Sequence, residues 1–518
     1  MKTKQDEKHR RIYEALVGIL GPENVSDSPA VMHAYSRDWM PDSTINPSPP
    51  DFVALPSSTR EVQLIVKLAN RLQFPFIPVG SNMWSINTVA VKPYTVILDP
   101  KRMNRILELD EKNMFATIEP YVTHAQLHAE ANRRGLYLGA PEAGSQASSL
   151  ANHLFQAAWG TAHRLGMGYR NILSMEWVLP TGEILRTGSR SYAGCGSFWG
   201  EGPGPDLRGL LRGTYGVMGG FGVVTNMTVK LHPYPGPKYF PTKGVVPSEQ
   251  VHMPEDKICW MLFTYPSIQK AVDAMYHICK AEIGGTCHKW PTIYLNWWWA
   301  KSNEEYWETW KSRYWQKNCK HMVSVSLWGF TSAKQVAYEK RVIEDIIKET
   351  GGKKVPQEVY DRIVPNIANA WIRTNWGPRV ISRSGTFILF SIPMDTMDSN
   401  VRFLKRSREF IDKYSPPILD NDHTDWIASY EMGHIGYAED MFPIEKNPED
   451  LKRFMEVFFK ELKADLAKKM DYNIAPALGA VYHKLGGPVF GYGNLLKNIK
   501  RTIDPNNVSC PPQPIPTS

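Results

Sequence analysis

The first half of the chain alternates short apolar runs with stretches whose apolar residues recur every three or four positions. Ile12, Leu16, Val17 and Leu20 share one face, which predicts a helix over 8–20 that Gly21-Pro22 stops. Phe52 to Pro56 reads as a strand. Ser57-Ser58-Thr59 then offers caps for a helix over 60–71, with Glu61 near its positive end. Further strands are predicted over 74–79, 96–99, 104–109, 116–119 and 175–179, and a helix capped by Thr123 runs to Asn132 before Gly135. The second half alternates differently. Helices are expected over 332–349, 398–414 and 447–469, with strands near Tyr294, over 323–327 and over 387–392, and a last helix over 495–500. That is the order of an α+β unit.

Small residues gather where these runs turn. Pro78-Val79-Gly80-Ser81-Asn82 follows one strand, and Pro141-Glu142-Ala143-Gly144-Ser145 opens a second bend. Gly213 to Thr225 holds five glycines in a third. Successive N–H groups in such bends can hold a pyrophosphate without a lysine. A nicotinamide site of the doubly wound kind does not fit. No Gly-x-Gly-x-x-Gly follows the first strand, and the glycines of 213–222 come too late.

At 518 residues the chain is too long for one ordinary core. Pro233-Tyr234-Pro235-Gly236-Pro237 marks a boundary, after which eight of the 17 tryptophans fall between Trp290 and Trp328. So dense a cluster belongs to a packed core or to an aromatic-lined cavity, and core packing is the first expectation. The net charge of +8 is spread without a Lys/Arg block, which argues against nucleic acid. Six scattered cysteines form no Cys-x-x-Cys pair, and the spacing of His277, Cys279, Cys287 and His288 fits no common metal site. No secretory h-region and no run near the ~20 apolar residues of a membrane span is present, so a cytoplasmic protein is expected.

The bends, taken with Glu176-Trp177-Val178-Leu179-Pro180-Thr181-Gly182-Glu183, Gly204-Pro205-Asp206-Leu207-Arg208-Gly209 and Gly222-Val223-Val224-Thr225, resemble the vanillyl-alcohol oxidase / para-cresol methylhydroxylase (PCMH-type) FAD flavoproteins. Some of the pattern is shared with the glycolate oxidase / D-lactate dehydrogenase branch. The resemblance covers roughly residues 48–235 and recurs at Ile503-Asp504-Pro505-Asn506-Asn507. It implies an N-terminal helix and lead-in (1–47), a two-subdomain FAD-binding domain (48–237), an α+β cap over the substrate (238–475) and a C-terminal return to the FAD domain (476–518).

The family carry-over places Val79, Gly80, Ser81, Asn82 and Met83 on one side of the pyrophosphate. It places Pro141, Glu142, Gly144 and Ser145 in the second loop, and Gly216, Gly222 and Val224 along the rest of the cofactor. The first loop lacks the histidine that carries a covalent flavin in many relatives. Phe387 stands at the alternative place on a cap strand, so non-covalent FAD is implied. Glu142 resembles the carboxylate near flavin N5, Tyr482 and His483 the pair that holds a substrate oxygen, and His434 an assisting group. The motif around His434 and the Tyr482-His483-Lys484 run both depart from the metal-assisted branch, so no metal is expected. The implied reaction is hydride removal from an aromatic alcohol or para-substituted phenol. A 2-hydroxy acid dehydrogenase, with Arg373, Arg379 and Arg383 as carboxylate anchors, and a flavin-bearing electron-relay subunit stay open. Relatives also imply a homo-oligomer, and a cytochrome or an electron-transferring flavoprotein as acceptor.

Overall fold

A computed structural model describes residues 2–36, 48–82, 89–142, 144–156, 159–202, 204–213, 216–245, 249–374, 387–391, 393–419, 425–445, 447–467, 493–511 and 515. Met83, Arg379, Arg383, Tyr482 and His483 lie outside these residues. The fold is α+β and is built on three main sheets. The first has four strands, with Phe52–Ala54 and Phe76–Pro78 parallel to a central Val96–Leu98 and Val25–Ser26 antiparallel at one edge. Helix Thr59–Leu72 buries Val62, Ile65, Val66 and Ala69 against it. Ser58 caps that helix by accepting a 3.2 Å hydrogen bond from the Glu61 N–H.

The second sheet is a five-stranded antiparallel one, ordered Ile106–Asp110, Phe115–Ile118, Val223–Lys230, Ile172–Val178, Ile184–Arg186. Its centre is buried on both faces: Met175, Trp177, Met227 and Val229 belong to the apolar core, and the buried Thr225 and Asn226 donate hydrogen bonds to Glu176 on the neighbouring strand. The parallel sheet and this one form the two subdomains. The third sheet has eight strands and belongs to the cap, with Ile258–Tyr265, His321–Trp328, Thr286–Lys289, Asp425–Tyr430 and Ile435–Ile444 as its antiparallel centre. Phe387–Ser391 is its edge strand. Helices Ile268–Lys280, Ala333–Thr350 and Met397–Lys413 pack on one face, and the aromatic core lies on the other.

The strand expected near Tyr294 is instead the helix Thr292–Trp299. Its Thr-Ile-Tyr start favours strand locally. Burial on nearly every side decides otherwise, because the helix satisfies its own backbone inside an apolar core. Asn296 ties it down, donating to Tyr306 O at 2.9 Å and accepting from Trp315 Nε1 at 2.8 Å. Trp290, Trp297, Trp298, Trp310, Trp315 and Trp328 are all buried, and Trp299 and Trp307 half-buried, so the cluster is packed core.

The two-subdomain part and the cap interlock at Gly160, where a Cβ would fall 1.8 Å from Trp371; within the two-subdomain part, a Cβ on Gly139 would fall 1.8 Å from Trp159. His288 lies among Trp290, Trp371 and Trp426, with ring centroids 4.9–5.8 Å away. Its Nε2 donates to Gly160 O at 2.7 Å and its Nδ1 accepts from Trp426 Nε1 at 3.2 Å, which fixes a neutral tautomer. No described helix is long and apolar enough to cross a membrane.

Candidate functional site

A cavity of about 180 Å³ lies between the first two sheets. One wall is the bend Pro78–Asn82, at the C-terminal end of its strand. The opposite wall is Met218 to Thr225, entering the central strand of the second sheet, and the floor is Ala147 to Phe155. The floor contains one turn of π-helix over Asn152–Gln156, a local widening that turns Asn152, Leu154 and Phe155 to the cavity.

The bends approach one another closely because their residues are small. A Cβ on Gly80 would lie 3.2 Å from the Cβ atoms of both Ser148 and Ala151. Ser81 Oγ accepts the Ser148 N–H at 2.9 Å, which joins the first bend to the floor. Ser148 Oγ in turn donates to Pro120 O at 2.6 Å and caps the short helix behind it. Gly222 has φ +104, and a Cβ there would meet Val178 O at 2.3 Å, so only glycine fits. Asn82 also has positive φ, at 54°.

Of the residues expected to touch the cofactor, Val79, Gly80, Ser81, Asn82, Gly222 and Val224 line the cavity. Gly216 backs its wall, since a Cβ there would press on Phe155 and Leu211, which do line it. Pro141, Glu142, Gly144 and Ser145 are not among the lining residues. Their loop passes behind the floor toward the cap. Pro141 bridges to Trp159, whose Nε1 donates to Asn152 of the floor at 2.8 Å. Ser145 O accepts the Ala125 N–H at the start of helix His124–Arg133.

At the end of that loop Glu142 is buried and accepts a 2.6 Å hydrogen bond from Tyr430 Oη on the cap sheet. Tyr430 stacks on Tyr437 at 5.3 Å, and Tyr437 Oη donates to Glu439 at 2.7 Å. Two buried carboxylates and two phenols thus meet where the cap covers the FAD-binding part. His434 is exposed on the turn that follows Tyr430. Glu431 anchors that turn by pairing with Arg170 and accepting the Met167 N–H at 3.2 Å. Among the described residues no three His, Cys, Asp or Glu side chains converge as metal ligands.

Burial sets the protonation of the histidines around this region. It pulls His128 and His288 down to about 3, and His153 and His163 to about 4, so all four are neutral near pH 7.

Residues 50–188 match the family model described as an FAD binding domain. The chain carries an FAD-binding domain and has the fold of the PCMH-type flavoproteins. The flavoprotein superposes on p-cresol methylhydroxylase with substrate bound at a TM-score of 0.73, covering 98% of this chain and 96% of that one at 18% identity. It is 30% identical over 228 residues to the glycolate oxidase subunit GlcD of Bacillus subtilis, covering 44% of this chain and 46% of the relative. It is 22% identical over 504 residues to the alkyldihydroxyacetonephosphate synthase of Dictyostelium discoideum, covering 90% of this chain and 74% of the relative. By sequence the flavoprotein spans about half the length of the glycolate oxidase and D-lactate dehydrogenase relatives that it matches.

FAD fits the cavity described above. Its walls are close-approaching backbone at Gly80, Gly219 and Gly222, with the polar residues Ser81, Asn82, Ser148, Asn152 and Thr225 in a mostly apolar lining. Sequence reasoning missed the floor, whose Ser148 was legible as a helix cap in Ser148-Ser149-Leu150-Ala151. It also missed Tyr430, which no local signal marks, because its partner lies 288 residues away.

Proposed function

We propose that this flavoprotein is an FAD-dependent oxidoreductase that removes a hydride from an aromatic alcohol or a para-substituted phenol. The observation that carries the reading is the buried Glu142–Tyr430 pair at the junction with an aromatic cap. FAD, when bound in the cavity between the two sheets, supplies the two-electron acceptor. Residues 48–237 hold it without a covalent link and 238–475 cover the substrate.

In this reading the Glu142 carboxylate takes the proton that the substrate must shed when its hydride leaves. Tyr430 holds that carboxylate in one orientation through its hydroxyl. Tyr437 and Trp426, packed edge to face at 5.2 Å, make the cap side of the junction aromatic and exclude water from it. Tyr482 and His483 hold the substrate oxygen, and His434 enters only as a group at the cap surface. A cytochrome, an electron-transferring flavoprotein or oxygen then removes the electrons.

A 2-hydroxy acid substrate is the second reading, favoured by the glycolate oxidase and D-lactate dehydrogenase relatives. It needs cations for the carboxylate. Arg373 is engaged by Glu249 at 3.3 Å, so it would have to exchange partners to serve. Anaerobic bleaching of the flavin separates the readings. Bleaching by 4-hydroxybenzyl alcohol and not by D-lactate supports the first, and the reverse refutes it. No bleaching by any alcohol would leave a flavin-bearing electron-relay subunit.

A further inference from the structure

The wall of the cavity at Gly219–Gly222 is held by the far end of the chain. Residues 508–510 run beside the strand Phe76–Pro78 and exchange backbone hydrogen bonds with Phe76, whose N–H donates to Val508 O and whose O accepts from Cys510 N–H, both at 2.8 Å. This places Ser509 between the bend that follows Pro78 and the glycine bend. Ser509 Oγ donates to Gly219 O at 2.6 Å and accepts the Gly222 N–H at 2.9 Å.

Lys500, on the last helix Gly493–Ile503, completes the arrangement. Its buried ammonium donates all three protons, to Gly220 O, Ser509 O and Asp504 Oδ2, each at 2.6 Å. Asp504, also buried, accepts the Val508 and Ser509 N–H groups at 3.0 Å. Three backbone polar groups of one four-residue glycine bend are therefore bonded to a single C-terminal segment. Glycines lose more chain entropy on ordering than other residues, so this bend has most to lose if the segment lets go. A buried ion pair is weak support for stability on its own, whereas it is well suited to fixing one geometry.

We propose that Lys500 and Ser509 are positioning residues for FAD, a C-terminal clasp that holds the Gly219–Gly222 wall in the shape that receives the cofactor. The inference rests on the cavity being the FAD site and is independent of which substrate is oxidised. With the clasp open, part of the binding free energy goes into ordering the bend, and affinity falls.

The test is FAD affinity of the full-length chain, stripped of flavin and titrated with FAD by flavin fluorescence, beside thermal unfolding of the stripped protein. Lys500→Met alone would strand a buried carboxylate, so the charge pair is removed as Lys500→Met/Asp504→Asn, and Ser509→Ala provides a second, uncharged variant. Either variant is expected to raise the FAD dissociation constant about tenfold or more. The ratio of this rise to the loss of unfolding midpoint in the stripped chain should exceed that of an exposed-face control on the same helix, Arg501→Met. A dissociation constant within twofold of the parent in both folded variants overturns the proposal, even if both unfold at lower temperature. A parent chain that takes up no FAD would instead overturn the cavity assignment beneath it.

Discussion

Tyr430→Phe tests the chemistry assigned to the junction. The substitution removes one hydroxyl and leaves the ring, so the stack on Tyr437 at 5.3 Å and the packing of the cap are preserved. What is lost is a 2.6 Å hydrogen bond from a buried phenol to the Glu142 carboxylate. A hydrogen bond to a charged group contributes about 1.5–3 kcal/mol net. At about 1.4 kcal/mol per factor of ten, withdrawing it from the carboxylate proposed as base weakens the alignment of that base by a factor of about 10 to 100 in rate. The rate of anaerobic flavin reduction by 4-hydroxybenzyl alcohol at pH 7 should fall by that factor. FAD affinity should stay unchanged, because Tyr430 is not among the residues lining the cavity. Stopped-flow reduction reads the rate, and titration of the stripped chain with FAD reads the affinity. A reduction rate within twofold of the parent would refute the role given to the pair. A loss of FAD with no change in the rate of the loaded fraction would move Tyr430 into the cofactor site.

Three further outcomes follow from the geometry. Gly222→Ala puts a Cβ 2.3 Å from Val178 O at φ +104, so the chain should purify nearly colourless, with far less visible flavin absorbance per polypeptide than the parent. Acidification should destabilise the fold between about pH 6.5 and pH 4. Burial holds His153 and His163 at about 4 and His128 and His288 at about 3 in the folded state, against 6.5 when exposed, so unfolding takes up protons in that window. Each contributes a slope of up to about 1.4 kcal/mol per pH unit, visible as a falling urea midpoint from pH 7 to pH 4.5, and a flat midpoint would contradict it. Acid precipitation should release all the flavin into the supernatant, because Phe387 offers no nucleophile for a covalent link, and colour left in the pellet would contradict that.

The parts of the fold legible in the sequence are those set by local chemistry. Ser58 and Thr123 cap the helices that their positions announce, and the strand ending at Pro78 leads into the Gly80 bend as expected. Thr292–Trp299 was illegible because its conformation is decided by burial on all sides and not by the preferences of Thr292, Ile293 and Tyr294. The candidate site divides the same way. Val79 to Asn82 line the cavity directly after their strand, whereas the loop of Pro141 to Ser145 meets the cap instead of the lining. Nothing near Glu142 in sequence points to Tyr430, and nothing near Gly220 points to Lys500, 280 residues on. Such pairings exist only once the cap and the C-terminus have closed over the two sheets.

The most direct measurement is a crystal structure of the chain saturated with FAD. The account predicts density for one cofactor between the Pro78–Asn82 and Gly219–Thr225 bends, over Ser148 and Asn152, with its redox-active end directed toward Glu142 and Tyr430. Cofactor density elsewhere, with this cavity closed by its own side chains, would contradict it.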